Sequence, residues 1–182
     1  MGRLLGAILY IGLAFGANAA AADVSAAKPL ATGDMAKLVF EAAPKALPEV
    51  KLVDAEGAPK NLAPYKGKWM VLNFWATWCA PCREEMPTLQ HLQEEMPDIA
   101  VVPVATGFGS APDVVKRFYA QAKVTDLPVL RDPSMAFSRK MGVLGLPVTL
   151  IVNPDGQEVA RLIGGAVWDS PDAQAVLKAL TK

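Results

Sequence analysis

Cys79 and Cys82 are the only cysteines in 182 residues, and they stand two residues apart in the run Trp78-Cys79-Ala80-Pro81-Cys82. A bridge across two intervening residues closes little chain and stabilises little. The spacing suits reversible thiol chemistry better than stapling. The thiolate is the form that attacks a disulfide. If Cys79 opens a helix, the unpaired backbone N–H groups and the dipole there favour its negative charge. Cys82, one turn along, can then resolve the mixed disulfide that Cys79 makes with a partner. Pro81 limits the backbone between them, and Ala80 adds neither charge nor hydrogen bond. Trp78 reads as an exposed apolar platform for docking beside the nucleophile. A closed zinc site needs four ligands. With 2 cysteines and 1 histidine the chain offers no complete Cys/His set, so no metal and no cofactor are expected. His91 falls off the Met86, Leu89, Leu92 stripe and reads as a solvated helix residue. Glu84 and Glu85 read as solvated charges of the first turn.

The elements around this run can be read from periodicity. Residues 69–76 are almost unbroken apolar, as in a central strand covered on both faces. Residues 81–95 carry Met86, Leu89 and Leu92 at helical spacing, with Pro87 inside. Further strands are predicted over 50–53, 58–62, 99–105, 127–131, 148–152 and 158–163. Further helices are predicted over 35–42, 112–122 (capped by Ser110), 134–141 and from Pro171 to about Leu180. Trp75 reads as core, and Trp168 as packing the last helix onto the sheet. Gly107-Phe108-Gly109 follows a strand and could line the site, with no role assigned. The alternation gives an α/β fold with helices on both faces of a mixed sheet.

The start of the chain reads differently. Arg3 is followed by an apolar stretch from Leu4 to Phe15 and then by Ala17-Asn18-Ala19-Ala20. This is the pattern of a secretory signal or, uncleaved, of a membrane anchor. Residues 1–22 are assigned to that segment, 23–45 to a linker and short N-terminal helix, and 46–182 to the folded domain. Eighteen basic and 18 acidic residues cancel, which gives no reason to expect nucleic acid as a partner.

Asn73-Phe74-Trp75-Ala76-Thr77-Trp78-Cys79-Ala80-Pro81-Cys82-Arg83-Glu84-Glu85-Met86-Pro87 resembles the active-site run of the TlpA-type thiol:disulfide reductases, which are related to the ResA and CcmG groups of the thioredoxin-like superfamily. The likeness extends from about Thr32 to the C-terminus. It includes Lys66-Gly67-Lys68, Gly145-Leu146-Pro147, Asn153-Pro154-Asp155-Gly156 and Gly164-Gly165-Ala166-Val167-Trp168. It implies a thioredoxin-like fold, with a central mixed sheet and an N-terminal β-hairpin extension. It implies a cis Leu146-Pro147 bond facing the sulfurs, with the backbone there pairing with substrate. Trp78, Ala80, Pro81, Leu146 and Pro147 are the expected substrate-binding residues around a Cys79–Cys82 redox disulfide. Asn73 stands where thioredoxins proper carry a buried aspartate, so the proton route to Cys82 is left open.

The resemblance further implies a periplasmic, monomeric protein-disulfide reductase. A membrane dithiol donor would recharge it. Its substrates would be apocytochrome c or the copper-site assembly proteins of cytochrome oxidase. The alternatives are a copper-binding chaperone or a peroxiredoxin-like redoxin on the same fold. Copper carriers space their cysteines three apart and add a downstream histidine, and a peroxiredoxin needs threonine where this chain has Ala76.

Overall fold

The computed structural model describes residues 24–181. The signal or anchor segment assigned to residues 1–22 lies outside them. Eight strands form one mixed sheet: β1 (Val39–Ala46), β2 (Leu52–Val53), β3 (Pro59–Lys60), β4 (Met70–Trp75), β5 (Ala100–Thr106), β6 (Leu130–Asp132), β7 (Val148–Val152) and β8 (Gln157–Ile163). Their order is β1-β8-β7-β4-β5-β6-β2-β3. The β4–β5 and β5–β6 pairs are parallel and the rest antiparallel. The helices α1 (Ala80–Glu95), α2 (Pro112–Ala122), α3 (Ala136–Lys140) and α4 (Pro171–Leu180) cover the sheet.

Every residue of β4 is buried, as its apolar sequence requires of a strand covered on both faces. Side chains alternate across it. Val71 and Trp75 join one core with α1, α2 and α4, and Met70, Leu72 and Phe74 join a second core with Phe137 of α3. This is the thioredoxin-like α/β architecture that the sequence implies, with the β2–β3 hairpin at one sheet edge.

Two local expectations fail. The helix expected over 35–42 is a 3-10 turn, Gly33–Lys37, followed by strand β1, which pairs antiparallel with β8 through Val39 with Arg161 and Phe40 with Ala160. The open edge of β8 supplies backbone partners that outweigh the helical preference of Glu41, Ala42 and Ala43. The sheet therefore begins inside the segment assigned as linker and helix. Ser110 does not cap α2 either. Its hydroxyl donates to the Gly107 carbonyl at 2.7 Å, within the 3-10 turn Gly107–Ser110. By contrast Ser170 caps α4, its Oγ accepting from Ala173 N at 3.2 Å.

Candidate active site

Strand β4 ends at Trp75, and Cys79 is the residue that caps α1. Its Sγ accepts the Cys82 N–H at 3.3 Å, so a free helix donor already points at the sulfur that must carry charge. No acidic residue sits in the first turn to oppose that charge. The two sulfurs are bonded, with Cα atoms 5.3 Å apart. Cys79 keeps 5% of its surface exposed and Cys82 none, so a partner reaches Cys79 first. Arg83 is held over the Phe118 ring, 5.2 Å from its centroid, and adds positive charge to this end of α1.

Register places two more loops beside the cysteines. Phe74 pairs with Val148 and Trp75 with Ala105, so the chain before β7 and the chain after β5 both leave the sheet where β4 ends. Leu146-Pro147 lies in the first of these loops, and the bond between them is cis. Leu146 is half-buried and Pro147 buried, whereas Trp78, Ala80 and Pro81 are exposed. The second loop carries Phe108. Gly109 behind it sits so close to Ala76 that a Cβ there would overlap it. Three large apolar side chains project freely from this end: Trp78 at 67% exposure, Phe108 at 102% and Leu144 at 101%. Sequence reasoning missed Leu144 and left Phe108 without a role. Their signal was the glycines around each, Gly107 and Gly109, and Gly142 and Gly145.

Glu85 is the larger surprise. It is 3% exposed, not a solvated first-turn charge. It lies one turn after Cys82 on α1, where positions three apart bring Cβ atoms to about 5–6 Å. Its carboxylate accepts from Asn73 Nδ2 at 2.8 Å, Ala166 N at 3.2 Å and Trp168 Nε1 at 3.4 Å. Burial raises its pKa to about 7, against the pull of those donors and of the Lys37 charge. Asn73 also donates to Thr149 Oγ1 at 2.9 Å. Trp168 is fully buried and supplies a hydrogen bond as well as packing. Glu84 stays exposed, and His91, on the exposed side of α1, meets Asp169 at 3.0 Å. Among the described residues no three His, Cys, Asp or Glu side chains cluster as a metal site would require, and no helix is long and apolar enough to cross a membrane.

Residues 43–160 match the AhpC/TSA family. Thioredoxin-like protein YneN of Bacillus subtilis is 40% identical over 111 residues, 60% of this chain and 64% of that protein. Thiol-disulfide oxidoreductase ResA of Bacillus thuringiensis is 32% identical over 120 residues, 66% of this chain and 69% of that protein. The chain thus spans about two thirds of these relatives' length. Among solved structures, a thiol:disulfide interchange protein of the DsbE type from Chlorobium tepidum superposes with a TM-score of 0.65 at 26% identity, covering 75% of this chain and 96% of that one. A family match over more than half the chain, and relatives named for the chemistry that a helix-capping cysteine pair performs, make this protein a member of the AhpC/TSA family on its thioredoxin-like, thiol–disulfide oxidoreductase branch.

Proposed function

We propose that the protein reduces disulfides in partner proteins outside the cytosol, in the periplasm, reached through the N-terminal signal or anchor. The observation that carries the direction of attack is the asymmetry of the pair: Cys79 keeps some exposed surface where Cys82 keeps none, and a helix N–H points at the Cys79 sulfur to hold its thiolate. In the reduced protein the Cys79 thiolate attacks one sulfur of the partner's disulfide. A mixed disulfide forms, and the partner's other sulfur leaves as a thiolate and takes a proton. Cys82 then loses its proton and attacks the Cys79 sulfur. The mixed bond breaks, the partner leaves as a dithiol, and two electrons have passed from the pair to the partner.

Cys82 is fully buried, so its proton needs a nearby acceptor. Glu85 fills that role: a carboxyl with a pKa of about 7 is part-ionised at neutral pH and can take a proton and return it. Asn73, which cannot hold the proton itself, orients Glu85 instead. The partner's chain lies across Trp78, Ala80, Pro81, Leu146 and Pro147, flanked by Phe108 and Leu144. The resemblance to the TlpA-type reductases supports apocytochrome c or copper-site assembly proteins as the substrates, and a membrane dithiol donor as the source of the electrons that return the pair to its reduced state.

The test is a trapping experiment. Cys82→Ala should accumulate a mixed disulfide with a cystine-bearing substrate protein, visible as a mass adduct that thiol releases, and Cys79→Ala should form none. Adduct formation through Cys82 in the Cys79→Ala protein would reverse the assignment. The equilibrium potential tests the direction: about −270 to −200 mV fits a reductant, whereas a value near −120 mV marks an oxidant.

A further inference from the structure

Residues 33–37 and 164–168 both fall outside the family match over residues 43–160, yet they meet each other and the redox centre. Alternate backbone groups of the second segment are held from opposite sides. The Gly165 carbonyl accepts from Lys37 Nζ at 2.6 Å, and Val167 N–H donates to Asp34 Oδ2 at 3.1 Å. Between them, Ala166 N–H points inward to Glu85 at 3.2 Å. Asp34 and Lys37 pair with each other at 2.7 Å. Trp168 N–H donates to Thr88 Oγ1 at 3.0 Å, which anchors the segment to α1. At Gly165 the segment passes so close to the cysteine run that an added Cβ would lie 3.3 Å from Pro81 Cβ. The turn is itself fixed to α4, since Thr32 Oγ1 donates to Asp172 Oδ1 at 2.8 Å.

We propose that the Asp34–Lys37 turn is a positioning element for the redox centre, pressing residues 165–168 onto Pro81 and Glu85 and so setting the proton exchange that accompanies reduction of Cys79–Cys82. The proposal rests on the reading of Glu85 as the proton partner of Cys82. The groups facing Glu85 are few. Asn73, itself held by Thr149, approaches from the sheet, Ala166 and Trp168 from the held segment, and Cys82 precedes it by one turn on its own helix. Among the described residues Lys37 is the cation acting on it, and Asp34 beside Lys37 tempers that charge. Two of the donors to Glu85 belong to the segment that the turn holds. Releasing the turn therefore weakens two hydrogen bonds to the carboxylate and removes a favourable charge, all of which disfavour ionisation.

The experiment is the reduction potential of the full chain as a function of pH, across pH 5 to 9. In the parent protein the curve should bend where Glu85 ionises, near pH 7, and Glu85→Gln should lose that bend while keeping the one due to Cys79. Asp34→Ala/Lys37→Met should move the Glu85 bend upward by half a pH unit or more, about three-fold in proton affinity. Lys37→Arg, which keeps the charge and a donor, should restore the parent curve and so excludes general loss of fold. In the Glu85→Gln background the same double substitution should move nothing. An unmoved bend in Asp34→Ala/Lys37→Met, with Glu85→Gln behaving as stated, overturns the positioning role and leaves Glu85 standing. An equal shift in the Glu85→Gln background overturns it too, because the turn would then act elsewhere. A bend that survives Glu85→Gln removes the Glu85 reading and this one with it.

Discussion

The Glu85 carboxyl leaves water on folding and receives three donors in exchange, from Asn73, Ala166 and Trp168. The exchange falls short of full compensation, and the pKa rises from 4.5 to about 7. That shift has a consequence for stability. The folded state binds the proton more tightly than the unfolded chain does. The favourable contribution is fully present below pH 4.5 and is lost as pH rises through about 7. At higher pH the buried charge costs about 3 kcal/mol relative to acid conditions. We expect denaturant midpoints of the oxidised protein to fall between pH 5 and pH 8. In Glu85→Gln the part of that fall due to this residue should vanish. A parallel pH profile in the two proteins would contradict the assignment. Asn73 fits this partner because an amide can donate to a carboxylate or, turned over, accept from a carboxylic acid.

At the scale of elements, the reactive end of the molecule is made by close backbone approach. Gly109 lets the turn after β5 press against Ala76 and Thr77, just ahead of the cysteine run, with Phe108 of the same turn left exposed. Gly109→Ala should force that turn away, cost about 1–3 kcal/mol by urea unfolding, and slow disulfide exchange with protein substrates. Ser170→Ala removes the α4 cap and should cost about 1 kcal/mol, leaving exchange rates unchanged. The cysteine run, β4, α1 and β7 were legible in the sequence because each signal is local: apolar continuity, helical spacing, a proline in the first turn. Strand β1 was not legible. Glu41-Ala42-Ala43 favours helix, and only the edge of β8, over a hundred residues away, makes it a strand. Glu85 was missed for the same kind of reason. Its position in α1 reads as solvated, and what buries it is a segment about 80 residues further on.

Across the whole molecule, the sheet order sets β7, β4 and β5 side by side, and their loops carry Leu144, Trp78 and Phe108 in a row. At about 4.8 Å per strand the outer two strands lie about 10 Å apart, the length of three extended residues. Segments 75–82, 105–112, 141–148 and 163–168 contain no charged residue, although 20% of the chain is charged. Such a face suits an extended, apolar stretch of a partner protein better than a small charged thiol. Replacing Trp78, Phe108 and Leu144 together with serine should raise KM for a protein disulfide by roughly tenfold or more. The rate with oxidised glutathione and the Cys79–Cys82 potential should stay within two-fold of the parent values. Equal losses with both substrates would argue that these side chains support the fold rather than the encounter.

The placement of residues 164–168 against Pro81 and Glu85 also bears on the order of events during synthesis. Cys79 and Cys82 leave the ribosome some 80 residues before the segment that covers them. Until that segment arrives, Glu85 lacks two of its three donors and lies open to water. A nascent chain halted before residue 164 would thus hold its cysteines in a more solvated setting than the finished protein does. The reactivity of the pair is completed only when residues 164–168 have joined the fold.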